Sequence, residues 1–382
     1  TIVYSSDNFS VIESIGINFF ISEFVIEESD LERKNIKLLK EEIKNNNKVE
    51  NKDLEIKILI ISLYGKLEIF DYNLTKSSKF LSNIFKLHID DSQKEDEIKK
   101  NLISYSIIDD LVSQNVKNQY EQNPYPRWQS YEFIYEKKPF NQILNELSIQ
   151  FHIDQNIDFK SPQVLIAGCG TGQHSIEMSK AISKCEILAI DLSLNSLSYA
   201  KRKTQELNIN NIKYIQADIL NLDKFSNKFD IIDSVGVLHH MENPLEGWKK
   251  LVNSLNDEGL MRIGLYSEIA RSHITKTQQE IKKLNINSSL NEMISFRDDI
   301  IKSQEKHHLK LFSINDFYSL SEFRDLLFNI QEHRFTINQI QNSLDILGLN
   351  FCGFENQKLV DKFIKKYPND NDLYDLTLWD KF

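Results

Sequence analysis

Short apolar runs alternate with amphipathic stretches between residues 161 and 266. The apolar runs lie at 164–167, 185–190, 212–217, 229–238 and 259–266, and helical patterns fill 173–183, 193–207 and 244–255. Each run is almost continuously apolar, which is typical of parallel strands that are covered on both faces. We therefore predict a doubly wound, mostly parallel α/β sheet. Ligands of such sheets bind beyond the carboxyl ends of the strands.

The flanking segments have mostly helical patterns. We predict a helical N-terminal region at 1–110, which holds a loop or solvated helix at 40–57 and a surface connection at 90–100. A linker and lid segment is predicted at 111–160. The main domain is predicted at 161–382, with a helical insertion at about 268–346, a sixth strand at 349–355 and a helical tail. No seventh strand is evident before Phe382, so we expect that the chain is cut short there or that a strand comes from elsewhere.

Composition and charge exclude several classes of protein. Acidic residues outnumber basic ones by 56 to 46, and there is no dense Lys/Arg run, so a nucleic-acid partner is not expected. Cys169, Cys185 and Cys352 form no CxxC pair, which favours free thiols in a reducing compartment. No apolar run is long enough to span a bilayer, and no signal peptide is evident, so we predict a cytoplasmic protein without a membrane partner.

Glycine is scarce, with 11 in the chain, yet Gly168, Gly170 and Gly172 fall within five residues. They follow a predicted strand and open a predicted helix, where glycine allows a sharp turn and the close approach of a ligand. Asp191 ends the next strand, at the spacing of an acid that binds ribose hydroxyls. A dinucleotide site needs a third glycine where this chain has Gln173. S-adenosylmethionine (SAM) has no pyrophosphate and does not need that glycine.

The other predicted cofactor contacts lie at the ends of the same strands. Asp218 follows the third strand, where its carboxylate suits the adenine amino group. Val235, Gly236 and Val237 end the fourth strand, where they suit the adenosine or the methionine part. The cofactor set is completed by the neighbours of the glycines and acids: Cys169, Thr171, Gln173, His174, Leu192, Ser193 and Ile219. Ser193 is also the predicted N-cap of a helix.

The sequences IAGCGTG, AIDLS, QADIL and VGVLHH resemble motifs of class I SAM-dependent methyltransferases. QYEQNPYPRW, GLMRIGLYSEIAR and DLLFNIQEHRFT resemble a bacterial group of these enzymes that is often fused to tetratricopeptide repeats. The resemblance covers roughly 118 to 355, and it implies a Rossmann-like fold, SAM as cofactor and S-adenosylhomocysteine as product. Ala167 departs from the acidic residue that the family usually has there, which removes one polar contact to the amino group of SAM.

Candidate catalytic and substrate residues surround the predicted cofactor site. His239 and His240 are adjacent at the mouth of the sheet, where either one suits a general base, or where one packs and the other shapes the pocket. No third ligand is placed by spacing, so no metal site is predicted. His307 and His308 are expected on the surface. The remaining candidates are Tyr125 and Tyr266 for catalysis, and Tyr120, Arg127, Glu268, His333 and Arg334 for the substrate.

The 118–128 segment has two readings, a rigid connection to the N-terminal helices or a lid. As a lid, it would set Tyr125 against the methyl group and Arg127 against a carboxylate. The charged run at 332–334 is either part of the acceptor pocket or a solvated helix face.

The function we predict is methyl transfer from SAM to a nucleophilic acceptor. The fusion of related proteins to repeat domains suggests a protein or peptide side chain. The alternatives are a small-molecule N- or O-methyltransferase and a SAM-binding partner subunit without catalysis of its own. An NAD-dependent oxidoreductase is a further reading.

Overall fold

A six-stranded sheet with all strands parallel carries the central part of the chain. The computed structural model describes residues 6–45, 51–67, 81–105, 107–130, 136–146, 159–226 and 228–382. In chain order the strands are β1 (Ile103–Ser104), β2 (Gln163–Ala167), β3 (Glu186–Asp191), β4 (Ile212–Gln216), β5 (Phe229–Val235) and β6 (Leu255–Gly264). Their order in the sheet is β1-β4-β3-β2-β5-β6. The predicted parallel α/β sheet is confirmed.

The central strands are buried on both faces, which explains their continuous apolar runs. Strand β2 lies between β3 and β5, and Leu165, Ile190 and Ile232 of these three strands are fully buried. Burying such a side chain contributes roughly 1.5–3 kcal/mol. The carboxyl ends of β2, β3, β4 and β5 therefore meet at one edge, next to the predicted cofactor residues.

Helices make up most of the remaining described chain. In chain order they are α1 (Ser6–Ile21), α2 (Asp30–Asn45), α3 (Asn51–Ser62), α4 (Ser82–Phe85), α5 (Asp91–Asn101), α6 (Leu111–Gln122), α7 (Phe140–Glu146), α8 (Gln173–Ala181), α9 (Leu194–Glu206), α10 (Pro244–Ser254), α11 (Ser272–Leu284), α12 (Leu290–Lys302), α13 (Lys306–Leu311), α14 (Leu320–Leu327), α15 (Ile337–Leu347), α16 (Gln357–Lys366) and α17 (Leu376–Lys381). Among the described residues, no helix combines the length and the apolar character that crossing a bilayer requires.

The chain divides into two compact units. The helical unit consists of Thr1–Lys100, Tyr125–Ser130 and His273–Asn329, and the sheet unit consists of Asn101–Pro124, Tyr131–Ser272 and Ile330–Phe382. The helical unit has its own apolar core, in which Phe323, Ile300 and Leu311 are fully buried. The domain bounds at residues 110 and 160 stay a prediction.

The predicted sixth strand at 349–355 is wrong. No strand forms there, and the sixth strand is β1, which pairs with β4 at the opposite edge of the sheet. The apolar residues that suggested a strand pack in an aromatic cluster instead: the Phe351 ring lies 4.9 Å from Phe354, and Phe354 lies 4.8 Å from Trp379. Side chains of alternating polarity can be buried by such a cluster as well as by a sheet.

Two other local predictions need correction. Residues 91–101, expected as a surface connection, form helix α5. Their composition, rich in Lys, Glu and Asp, suits a helix whose faces are mostly solvated. The predicted strand at 229–238 ends at Val235, because Gly236 takes a left-handed backbone with a φ of 78°. Residues 46–50, within the predicted loop or solvated helix at 40–57, lie outside the described residues.

Candidate functional site

The glycine-rich turn between β2 and α8 has backbone dihedral angles that residues with a Cβ rarely adopt. Gly168, Gly170 and Gly172 have φ values of 79°, 51° and 80°. A Cβ on Gly168 would lie 2.2 Å from a Val237 methyl carbon, and one on Gly172 would lie 2.5 Å from the Ala200 Cβ. The turn therefore requires glycine on both conformational and steric grounds.

The Asp191 carboxylate is fixed by backbone amides at the end of β3. The Gly170 N–H donates to Oδ2 over 2.8 Å, and the Ser193 N–H donates to Oδ1 over 2.9 Å. Burial raises the pKa of Asp191, and these two hydrogen bonds oppose that rise. Each carboxylate oxygen has two acceptor sites. Asp191 therefore keeps the capacity to accept from a pair of ligand hydroxyls.

Asp218, at the end of β4, holds a buried oxygen that lacks a partner. Its Oδ1 accepts a hydrogen bond from the Leu220 N–H over 2.9 Å, whereas Oδ2 is buried without a hydrogen-bond partner among the described residues. Burial raises the pKa of this carboxyl group, and hydrogen bonds from the Leu220 N–H and the Ser113 side chain oppose that rise. A buried unpartnered acceptor costs free energy, so a ligand donor such as the adenine amino group would satisfy it.

Helix α6 is attached to the start of α9, beside the Asp191 carboxylate. Glu121 accepts a hydrogen bond from the Leu194 N–H over 2.6 Å, and the Tyr120 carbonyl accepts one from the Ser193 hydroxyl over 3.1 Å. Ser193 also accepts from the Ser196 N–H, which confirms it as the N-cap of α9. The positive end of a helix dipole stabilises a carboxylate there.

The other predicted cofactor residues lie around the same edge of the sheet. Gln173 is the first residue of α8, and Val235 and Gly236 are exposed at the end of β5. The Leu192 carbonyl accepts from the Gln216 side chain. Cys169, Thr171 and Ile219 are buried and Val237 is half-buried. Burial raises the pKa of the Cys169 thiol well above its ordinary value, so Cys169 is not a thiolate at neutral pH.

His174 belongs to a charged network. Its Nε2 lies 3.0 Å from an oxygen of Asp233 and 2.9 Å from the Arg262 guanidinium, which also donates to Asp233 over 3.2 Å. Burial opposes protonation, but the hydrogen bonds with Asp233 and Glu177 raise the pKa of His174 to about 9. The network accounts for His174 without a ligand, and its role as a cofactor contact stays a prediction.

A stack of rings and charges follows the carboxyl ends of β5 and β6. The His239 ring lies 3.7 Å from the Tyr266 ring, and the Arg271 guanidinium lies 3.6 Å from the same ring centre. Two groups this close must cover opposite faces of the tyrosine. Arg271 also forms a two-point ion pair with Glu332, with contacts of 2.7 and 3.1 Å, and both side chains are largely buried.

The adjacent histidines have different environments. His239 is fully buried, and neither ring nitrogen has a hydrogen-bond partner among the described residues. Burial, followed by the neighbouring His240 and Arg271, lowers the pKa of His239 to about 2. His240 Nδ1 lies 2.8 Å from the Gln331 carbonyl, which can only accept. In the neutral ring the proton is therefore on Nδ1 and the lone pair is on Nε2.

Residues 331–335 form no helix, and the Glu332 side chain is buried, so the reading of 332–334 as a solvated helix face is wrong. The His333 N–H donates to the His239 carbonyl over 2.7 Å, and the Glu268 N–H donates to the Phe335 carbonyl. Arg334 lies 3.3 Å from Glu332. This segment therefore brings His333 and Arg334 next to the ends of β5 and β6, as their prediction as substrate residues requires. The Glu268 side chain is exposed.

The predicted lid segment is shared between the two units. Tyr120 belongs to the sheet unit, and its ring lies edge-on to His240, with 6.5 Å between the centres. Tyr125 and Arg127 belong to the helical unit, where Arg127 pairs with Glu23 over 3.5 Å. Their roles toward the methyl group and a carboxylate stay predictions.

Several residues of the site were not predicted from the sequence. Arg271, Arg262 and Asp233 are buried or paired at the ends of β5 and β6, and Glu121 holds the start of α9. The motif at 259–271 contains both arginines, and Asp233 is an acid inside an apolar strand. A charge in such a strand signals a buried ion pair.

Comparison with known proteins relates the central part of the chain to methyltransferases. Residues 158–323 match a family model described as a methyltransferase domain. An uncharacterised protein of Synechococcus is 26% identical over 204 residues, which cover 51% of this chain and 49% of that protein. Demethylmenaquinone methyltransferase of Staphylococcus saprophyticus is 32% identical over 130 residues, which cover 32% of this chain and 55% of that enzyme.

Among solved structures, PKMT2 from Rickettsia typhi in complex with AdoHcy is 19% identical with a TM-score of 0.47, covering 66% of this chain and 52% of that one. The chain spans about half the length, or less, of the curated relatives it matches. The resemblance to a group fused to tetratricopeptide repeats is not confirmed by these matches.

Proposed function

We propose that this chain, a class I SAM-dependent methyltransferase whose residues 158–323 match the methyltransferase-domain model, methylates a protein or peptide side chain. SAM is the cofactor of the domain. The observation that supports a large acceptor is the exposed rim of the sheet unit. At this rim Ile269, after β6, is 86% exposed. An apolar side chain this exposed beside the site is surface that a bound macromolecule would cover, and we take it as the feature that favours a large acceptor.

Different residues of the site bind different parts of SAM. The glycine turn lets the backbone approach SAM closely, and the two Asp191 oxygens accept from the ribose hydroxyls. The unpartnered Asp218 oxygen accepts from the adenine amino group. Ala167 offers no carboxylate to the amino group of the methionine part. Binding of that part would therefore rest on backbone groups of the turn.

His240 is the residue we assign as general base. Bound SAM supplies an electrophilic methyl group on a sulfonium. His240 would take up, at Nε2, the proton that the acceptor atom gives up when it is methylated. The Gln331 carbonyl holds His240 in the tautomer that this transfer needs. His239, fully buried against Tyr266, has the packing role.

Arg271 and Glu332 position the aromatic part of the acceptor site. Their ion pair holds the guanidinium against Tyr266, whose other face carries His239. Both faces of the Tyr266 ring are therefore covered by protein. Tyr266 would act on the acceptor through its ring edge or its hydroxyl, and not by stacking.

A small-molecule acceptor is the second candidate. Curated relatives named for coclaurine N-methylation and demethylmenaquinone methylation are 31% and 30% identical to this chain. These matches span 26% and 27% of the chain, so about three quarters of the chain lies outside each of them. The exposed rim makes us prefer the protein acceptor.

Labelled SAM tests the acceptor class. The protein is incubated with methyl-labelled SAM and a lysate, and the products are separated before and after protease digestion. We expect label on macromolecules that protease converts to small peptides, and much less such label with an Asp191→Asn variant at the same low SAM concentration. Label confined to metabolites that protease does not alter would refute the protein acceptor.

His240→Gln tests catalysis and separates it from mere SAM binding. General-base catalysis is worth about 10²–10⁴-fold, so turnover should fall by that factor while SAM affinity stays unchanged. The matched control is His273→Gln, which removes an imidazole of the helical unit. Unchanged turnover in His240→Gln would reject the base assignment. No turnover in the unaltered protein with any acceptor would favour a SAM-binding partner subunit.

A further inference from the structure

Two adjacent histidines in the helical unit share one carboxylate. His307 Nε2 lies 2.7 Å from Oε1 of Glu280, and His308 Nε2 lies 2.8 Å from Oε2. Glu280 is on α11 and the histidines are on α13, so the cluster joins two helices. Both imidazoles are largely buried, whereas the Glu280 side chain is 37% exposed. The prediction that these histidines are surface residues is wrong for His308, which is buried.

A serine orients the buried imidazole. His308 Nδ1 lies 2.8 Å from Ser303 Oγ, which also accepts a hydrogen bond from the Glu305 N–H over 3.1 Å. When Ser303 accepts from Nδ1 as well, the His308 lone pair is on Nε2 and faces a carboxylate oxygen. Two acceptors at that separation need a proton or a cation between them. Histidines that bind metals usually donate their other ring N–H in this way.

We propose that Glu280, His307 and His308 bind a divalent transition-metal ion, with Zn²⁺ as the first choice. Their ligand atoms all lie within 4.8 Å of one another. Tetrahedral coordination at 2.0–2.2 Å separates ligand atoms by about 3.3 Å, so the carboxylate would move by about 0.5 Å from its present contacts. Two imidazoles exclude Mg²⁺ and Ca²⁺, which prefer oxygen ligands.

The ion would have a structural effect. It would link α11 to α13 through the Glu280 carboxylate and the two imidazoles. The exposed side of Glu280 leaves room for a water as the fourth ligand. All three residues belong to the helical unit, and none of them is part of the proposed methyl-transfer site. The metal site therefore stands or falls independently of the proposed function.

Zinc binding by the untagged protein tests the site. Metal-stripped protein is dialysed against ZnCl₂ and its bound zinc is counted, and thermal unfolding is followed with and without zinc. We expect one equivalent of zinc per chain and a higher melting temperature with zinc, because an ion that binds only the folded state stabilises it. No stoichiometric binding at neutral pH would overturn the proposal.

Variants locate the ion. His307→Gln and Glu280→Gln should weaken zinc binding by more than ~100-fold, and Ser303→Ala, which removes only the partner of His308, by about 10-fold. His273→Gln is the matched control, since it lies on α11 outside the cluster, and it should bind zinc as the unaltered protein does. Equal binding in the cluster variants and the control would overturn the site.

If the variants fail to fold, X-ray absorption on the zinc-loaded unaltered protein counts its ligands. Two imidazoles with oxygen ligands completing the shell are expected. One imidazole or none would overturn the assignment.

Discussion

Replacing Asp191 by asparagine should weaken SAM binding while leaving the shape of the side chain unchanged. Both carboxylate oxygens accept backbone hydrogen bonds, from Gly170 on one side and Ser193 on the other. Asparagine has one acceptor oxygen, so its NH₂ group would face one of those N–H groups. The variant therefore leaves a backbone donor unpaired, and it removes a charged acceptor for the ribose.

The magnitude follows from these contacts. A hydrogen bond to a charged group is worth about 1.5–3 kcal/mol, which corresponds to a loss of SAM affinity of about 10- to 150-fold. The unpaired N–H should cost the SAM-free protein about 1–3 kcal/mol, and the removal of a buried carboxylate whose pKa is raised offsets part of that cost at neutral pH.

Isothermal titration with SAM and S-adenosylhomocysteine measures the effect. Asp223→Asn is the matched control, because Asp223 pairs with Lys250 on the surface of the same unit. The control should bind both ligands as the unaltered protein does. Unchanged affinity in Asp191→Asn would refute the placement of the ribose on this carboxylate.

Three further predictions rest on individual contacts. Gly168→Ala should abolish SAM binding and destabilise the protein by about 1–3 kcal/mol in chemical denaturation, whereas Gly65→Ala, with no atom near its Cβ, should be near neutral. Burial raises the pKa of Asp218, so the folded protein binds the carboxyl proton more tightly than the unfolded chain does. The free energy of unfolding therefore falls as pH rises from about 4 through the raised pKa. Asp218→Asn should therefore raise the melting temperature more at pH 7 than at pH 4, although it weakens SAM binding; an equal gain at both pH values would contradict this. Arg271→Met should cost up to about 3–5 kcal/mol because it removes the two-point partner of the buried Glu332 carboxylate, whose ion pair with Arg334 is longer, and adding Glu332→Leu should recover much of that loss in the same unfolding assay.

The sheet could be predicted from the sequence because each central strand is buried on both faces. That burial demands a continuous apolar run, and such runs are visible at β2, β3, β4 and β5. Strand β1 could not be found in this way, since it has two residues and both are exposed. The false strand at 349–355 shows the converse, because aromatic packing against Trp379 buries the same pattern of side chains.

The predicted cofactor residues rest on local geometry, and the structure places the glycine turn and Asp191 at adjoining strand ends. A left-handed turn needs glycine, and an acid at a strand end follows the turn at a fixed spacing. The acceptor side depends on contacts between distant segments. Arg271 meets Glu332, and His240 meets Gln331 across 91 residues. The Glu280 contacts with His307 and His308 likewise span 27 and 28 residues. No periodicity in the sequence reports such pairs.

Calorimetric titration of the unaltered protein with SAM, S-adenosylhomocysteine and NAD tests the central claim most directly. The glycine turn, Asp191 and Asp218 should bind SAM and S-adenosylhomocysteine with one site per chain, and NAD much more weakly. Tighter binding of NAD than of either sulfur compound would contradict the account.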